Sequence, residues 1–316
     1  MPSLRARLMN RLLRSTTKSV WRPGLDIAQV RQHTAKMETR LVRGAPTVPT
    51  EPVAIDGIPA TWFGRPERAA TGTLLYLHGG AWCLHLPRIY ARFASILAEL
   101  TGMRVLLPEY RLAPEHRCPA GVDDCFAVYR WRLDQGYRQR PFALAGDSAG
   151  GSLSLVTLMR ARDALLPLPD CAVLLSPSTD LTASGPSMRY NAEADPMFAP
   201  AAIDLLPDQY CPGQDRSDPL LSPLLGNWQG LPPLLFLAGS TLVSSQTDEY
   251  DVAGALRGRP VPVFKSDLTG LTLPANAEII AEGWIDPNEL MDEGPFGEYT
   301  GYYSGNKGKD YPKPVL

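Results

Sequence analysis

The sequence predicts an α/β protein with a mostly parallel sheet covered by helices on both faces. Two observations carry this. Short, continuous apolar runs recur at 74–77, 142–145, 171–175 and 234–237, and 104–107 also reads as a strand. Runs without polar alternation suit strands buried on both sides, the condition of inner parallel strands. Between them lie stretches with helical periodicity. Ile89, Phe93, Ile96, Leu97 and Leu100 share one helical face, and 152–160 carries a stripe of Leu153, Val156 and Met159. Strands alternating with helices give a doubly covered sheet, and such sheets place their sites at the carboxyl ends of the strands.

Bulk composition narrows the class. A chain of 316 residues with 44% hydrophobic content is ample for one core and permits one to three domains. A net charge of −2 implies no strongly basic face, which argues against a nucleic-acid partner. The five cysteines, Cys83, Cys118, Cys125, Cys171 and Cys211, form no CxxC pair, so reduced thiols in a cytoplasmic protein are expected. No run approaches the roughly 20 apolar residues of a membrane span. Leu4, Leu8 and Leu12 line a helical stripe, with Arg5, Arg7, Arg11 and Arg14 around it. These arginines interrupt what a signal peptide needs as an apolar core. A membrane-surface helix is the alternative to a cap helix there. The 31 prolines fit a loop-rich surface, and no internal repeat is visible.

The chemistry is concentrated in two motifs. Gly146-Asp147-Ser148-Ala149-Gly150-Gly151 follows one apolar run and opens a helical one. A G-x-S-x-G string at a strand-to-helix junction is a nucleophile elbow, whose glycines permit a sharp turn that lifts the serine hydroxyl above the sheet. The second motif, His78-Gly79-Gly80-Ala81-Trp82, follows the run at 74–77. A glycine run after a strand can aim backbone N–H groups at one point, as an oxyanion hole requires. The bland alternative for each motif is a plain glycine turn.

With these two motifs, together with PEYRLAPEH (108–116), LSPSTDL (175–181) and DPLLSPL (218–224), the chain resembles the hormone-sensitive-lipase-like α/β-hydrolases over about residues 53–241. This family comprises carboxylesterases and lipases. The resemblance implies an α/β-hydrolase fold with N-terminal cap helices, Ser148 as nucleophile, and the N–H groups of Gly79, Gly80 and Ala149 as oxyanion donors. It also implies structural roles for His78 and His116.

The resemblance breaks where the triad should finish. In this fold the order along the chain is serine, acid, histidine. The acid is expected three residues past Gly239, a position held by Leu242, and the base some tens of residues later. All four histidines, His33, His78, His85 and His116, precede Ser148. A serine without a base is a weak nucleophile; losing the serine or the histidine of a protease triad costs about 10⁶ in turnover. His33 or His85 folding into the gap is one alternative. Asp248, Glu249 and Asp251 are acids at hand, but an acid without a base does not restore the reaction.

From about residue 248 to 312 the chain resembles the UbiD-like decarboxylases, which use a prenylated flavin. The resemblance rests on EYDVAGALRG, LTLPANAEIIAEGWIDP and EGPFGEYTGYY. It implies that Glu293 and Glu298 descend from that family's acid–base pair and Glu249 from a metal ligand. The upstream flavin-binding half of that family has no counterpart here, so no cofactor and no metal are expected. Read without the family, 260–264 and 277–282 are strand-like around a turn at Thr269-Gly270. Glu293 and Glu298 could then be ordinary solvated loop residues.

The expected organisation is cap helices over 1–45, a hydrolase core over 46–241 with a cap insertion at about 184–216, and a short β-rich UbiD-like fragment over 248–316. The hydrolase sheet should lack its last strand and helix, leaving an apolar edge through which the chain could self-associate. Three functions stay open: a carboxylic ester hydrolase weakened by the missing acid and histidine, a non-catalytic protein that binds an ester or acyl ligand, and a decarboxylase fragment.

Overall fold

The computed structural model describes residues 11–22, 24–42, 44, 46–135, 141–185, 188, 193 and 195–237, together with six short strands further along. Two compact units divide the chain. One comprises Arg22–Thr182 and Ala201–Leu242, and the other Met1–Trp21, Ala183–Pro200 and Val243–Leu316.

The first unit holds a seven-stranded sheet in the order β1-β2-β4-β3-β5-β6-β7. Its strands are β1 (Thr50–Ile55), β2 (Ile58–Phe63), β3 (Thr73–Leu77), β4 (Arg104–Pro108), β5 (Phe142–Asp147), β6 (Cys171–Leu175) and β7 (Leu234–Leu237). From β4 through β7 every neighbouring pair is parallel. Every residue of β3 and β4 is buried, the polar Thr73 and Arg104 included, as suits inner strands covered on both faces. The hairpin β1–β2 joins the parallel strands antiparallel through β2 and β4. β1 is mostly exposed and β2 mostly buried, with polar residues in both, so apolar continuity did not reveal the hairpin.

Among the described residues of this unit the sheet is accompanied by α1 (Ile27–Leu41), α2 (Pro87–Thr101), α3 (Ala120–Asp134), α4 (Ala149–Asp163) and α5 (Ala202–Tyr210). Proline at the first turn of α2 sacrifices an N–H that no helical carbonyl would use, and Gly102, at φ +68°, ends the helix in the left-handed region. The face expected for α2 is displaced round the helix. Tyr90, Ala94 and Ala98 are the buried stripe, while Leu100 is 64% exposed. Small alanines let the backbone approach the sheet, and periodicity weighted by large side chains overlooks them. The stripe Leu153, Val156 and Met159 of α4 is buried as expected, and so are nearly all other residues of that helix.

Strand β7 pairs with β6 and is an outer strand of this sheet; Leu235 and Phe236 on it are 52% and 42% exposed. Trp228 stacks on Phe236 with ring centroids 5.6 Å apart. Among the described residues no helix is long and apolar enough to cross a membrane. The five cysteines are free; Cys171 is half-buried and the other four are buried.

Within the second unit Trp21 stacks on Phe198 at 5.6 Å and donates from Nε1 to the Met197 carbonyl. Lys18 and Arg14 both donate to the Glu193 carbonyl. Further along, Val263–Lys265 pairs antiparallel with Thr272–Pro274, Trp284–Asp292 with Asp310–Val315, and Phe296–Gly297 with Tyr303–Ser304. The strand-like reading of 260–264 overlaps the first of these, whereas 277–282 and the turn at Thr269-Gly270 lie outside the described residues.

Candidate active site

Three strand ends build the site. At the end of β5 the chain passes through Ser148 and enters α4 without an intervening loop. Ser148 has φ +50° and ψ −119°, a strained backbone for a residue with a side chain. Two contacts pin it to the end of β6: the Ser148 N–H donates to the Leu175 carbonyl at 2.9 Å, and the Ser148 carbonyl accepts from Ser178 N–H at 3.0 Å. The neighbouring glycines are dictated by space. A Cβ on Gly146 would come within 2.8 Å of the Leu77 carbonyl oxygen, and one on Gly150 within 2.5 Å of the His78 carbonyl oxygen. The end of β3 therefore runs against the elbow with no room for a methyl group.

After β3 the chain makes the second arm. Gly80 has φ +119°, and Ala81 and Trp82 also lie at positive φ, +54° and +58°. Three successive residues in that region coil the loop back, and Cys83 and Leu84 donate to the Gly80 carbonyl at 3.0 and 2.7 Å. The Gly79 N–H does not face an open site. It donates to Asp147 Oδ1 at 2.8 Å. The N–H groups of Gly80 and Ala81 have no acceptor among the described residues. Ala149 opens α4, where an N–H has no helical carbonyl to reach.

Asp147 gathers this arrangement. Its Oδ1 also accepts from the Tyr76 hydroxyl, and its Oδ2 from the Tyr90 hydroxyl, each at 2.8 Å. Burial pushes the Asp147 carboxyl above its ordinary value, while the three donors act in the opposite direction.

His78 is buried, stacked on Tyr110 at 4.3 Å, and its Nδ1 lies 2.6 Å from the Gly79 carbonyl oxygen. Burial drives its pKa down to about 4. Tyr110 donates to the His78 carbonyl at 2.6 Å, and Arg111 grips Asp124 of α3 through Nε and Nη2. His116 and His33 are exposed. His85 Nε2 sits 4.0 Å from Glu109. No histidine hydrogen-bonds the Ser148 hydroxyl among the described residues.

Helix α1 braces the glycine arm from outside. Arg31 donates to the Cys83 and Ala113 carbonyls at 2.8 and 2.7 Å and pairs with both oxygens of Glu115. That pairing holds the Glu115 carboxyl below its ordinary value. Arg31→Ala should cost about 2 kcal/mol, because two part-buried carbonyls lose a charged donor. Urea unfolding beside Arg31→Lys checks this; the lysine, with one donor centre, should recover less than half. The sequence offered no sign of this role, since an arginine on an amphipathic helix reads as a solvated face.

Of the residues singled out by sequence, Ser148, Gly79, Gly80 and Ala149 come together here. Glu249, Glu293 and Glu298, with Leu242, lie outside the described residues. Asp147, Tyr76, Tyr90 and Arg31 were missed. Among the described residues no group of histidine, cysteine and carboxylate side chains could hold a metal ion.

A parallel sheet whose central strand turns through a strained serine into a buried helix, opposite a glycine arm, defines the α/β-hydrolase class. The family model described as alpha/beta hydrolase fold matches residues 74–266. The acetyl-hydrolase of Streptomyces hygroscopicus is 40% identical over 214 residues, covering 67% of this chain and 71% of that protein. The carboxylesterase NlhH of Mycobacterium tuberculosis is 34% identical, covering 66% of this chain and 69% of that one. A crystal structure of an esterase from the bacterial hormone-sensitive lipase family superimposes with a TM-score of 0.66 at 35% identity, over 74% of this chain and 77% of that one. The chain belongs to the hormone-sensitive-lipase-like α/β-hydrolase family. A second match, to the 3-octaprenyl-4-hydroxybenzoate carboxy-lyase Rift-related domain, covers residues 228–313 and overlaps the first.

Proposed function

We propose that this chain carries a carboxylic-ester-hydrolase site in which the Ser148 hydroxyl attacks the ester carbonyl and backbone N–H groups receive the oxyanion. The observation that carries the reading is the strained Ser148 at the mouth of α4, facing a glycine arm with unengaged N–H groups. Gly80 and Ala149 keep the roles expected of them. Because the Gly79 N–H is engaged by Asp147, the third donor is assigned to Ala81. Turnover is weak, since no histidine follows Ser148 in the sequence. A short-chain carboxylic ester is the substrate class, in keeping with the names of the relatives.

A second reading, a protein that binds esters without turning them over, is favoured by the lack of any histidine bonded to Ser148 among the described residues. Hydrolysis of p-nitrophenyl acetate and butyrate, beside Ser148→Ala, separates the two. The expected result is slow turnover that falls at least about tenfold in the variant, the residual reflecting the oxyanion hole alone. Equal rates would leave only binding. Little in this chain supports decarboxylation. The hydrolase sheet occupies 50–237, where the resemblance places the flavin-binding half, so the residues present do not fit a flavin.

A further inference from the structure

We propose that Asp147 is a positioning residue, whose carboxylate fixes the glycine arm at the height where its N–H groups can meet an oxyanion. This rests on the reading of Ser148 and that arm as the reacting centre. Three donors from β3, the arm that continues it and α2 converge on the one side chain. Gly79 N–H comes from the arm itself, Tyr76 from β3 and Tyr90 from the first turn of α2, all at 2.8 Å. Being adjacent to Ser148, Asp147 ties the serine's own backbone to the opposite arm. A Cβ on Gly79 would collide with the Asp147 carboxylate and come within 2.9 Å of the Tyr90 hydroxyl, so the contact is built around glycine at that position. Tyr90 is in turn held from α1. Its helix lacks a cap from its own preceding residue, and the buried Glu38 supplies one by accepting from Ile89 N–H at 2.9 Å.

The carboxylate does not touch the reacting atoms. Its action is to use up the Gly79 N–H and thereby set the direction of the next two, those of Gly80 and Ala81. A hydrogen bond to a charged acceptor exceeds a neutral one in strength, and losing it while leaving a buried N–H unpaired loosens the segment.

The test compares the native chain with Asp147→Ala, Asp147→Asn and Tyr90→Phe, using two readouts. Hydrogen exchange of the peptide spanning 78–86 should quicken roughly tenfold or more in Asp147→Ala, with peptides from α3 unchanged. Asp147→Asn should recover most of the protection, since one amide oxygen can take the place of Oδ1 for both Gly79 and Tyr76. Tyr90→Phe should fall between. The second readout is covalent capture of Ser148 by a p-nitrophenyl alkylphosphonate, in which the serine oxygen bonds phosphorus, p-nitrophenolate leaves and the hydroxyl proton passes to solvent. The maximal capture rate should fall in the same order, while the reversible affinity for the phosphonate stays constant.

Unchanged exchange at 78–86 in all three variants overturns the proposal. So does a uniform quickening across α3 and α4 that Asn fails to rescue, because that marks a general packing role. If the native chain is not captured at all, the reading of Ser148 fails, and the exchange data alone decide whether Asp147 holds the arm. Should Asp147→Ala not fold, Asn and Tyr90→Phe still give the graded comparison.

Discussion

Replacing Gly150 with alanine should strongly destabilise the hydrolase unit, although alanine is the better helix former. Position 150 lies in the first turn of α4, and in a solvent-exposed helix the exchange would stabilise by about 1 kcal/mol. Here the added methyl group would run into the Leu77 carbonyl oxygen and come within 2.5 Å of the His78 carbonyl oxygen. Both partners are backbone atoms at the end of a fully buried strand, so neither can turn aside as a side-chain tip would. Overpacking of that kind costs about 1–3 kcal/mol where side chains can adjust and more where they cannot. The net expectation is a loss above roughly 3 kcal/mol, a large share of the 5–15 kcal/mol that holds a typical domain. Gly213→Ala is the comparison. Gly213, unlike the helical Gly150, lies in the left-handed region at φ +73°, but no atom lies within 4 Å of a Cβ built there. It should lose only about 1–2 kcal/mol of backbone strain. Soluble yield and thermal melts of the two variants decide the matter; near-equal melting points would show that the elbow can open to admit a methyl group.

The same contact explains why this part of the protein was legible in its sequence. A glycine demanded by a carbonyl oxygen, a serine demanded by chemistry and an apolar run demanded by two covered faces each leave a local mark. All three marks fall within residues 142–151. Strands β3 to β7 and the elbow could therefore be read to within a residue or two. Hairpin β1–β2 left a fainter mark, because its strands mix polar and apolar residues. The buried face of α2 was misplaced because alanines make it. Asp147 was the most instructive omission. Inside GDSAG it reads as a filler between glycine and serine, and only the fold brings Tyr76, Tyr90 and Gly79 from three other places to its two oxygens. Arg31 was missed for the same reason, since its partners lie 52 to 84 residues away along the chain. Motif reading recovers what neighbours in sequence require and misses what neighbours in space supply.

His78 gives the second large effect, in the response to acid. Its imidazole is buried without a charged partner among its direct contacts, and desolvation lowers its pKa from 6.5 to about 4; the hydrogen bond to the Gly79 carbonyl only partly offsets this, and His85 adds to the lowering. In the unfolded chain the ring takes up a proton near its ordinary pKa, so below that point the unfolded state binds the proton more tightly than the folded one. Stability from this group is therefore complete above about pH 6.5 and is lost progressively as the pH falls toward 4. At 1.36 kcal/mol for each unit of difference, the loss reaches about 3 kcal/mol; the lowered Glu115 carboxyl adds to it as the pH falls further, whereas the raised Asp147 carboxyl acts in the opposite direction. The consequence is sharper than simple acid weakness. The ring stacks on Tyr110 and its own residue opens the glycine arm, so a charged His78 loosens the arm before the sheet melts. Urea midpoints from pH 8 to pH 4 should fall steeply between 6.5 and 4, and His78→Gln, which keeps a polar group but no titration, should flatten that limb at a lower plateau. A native chain equally stable at pH 7 and pH 4.5 would mean that His78 is protonated without cost and that a water or carboxylate reaches its ring.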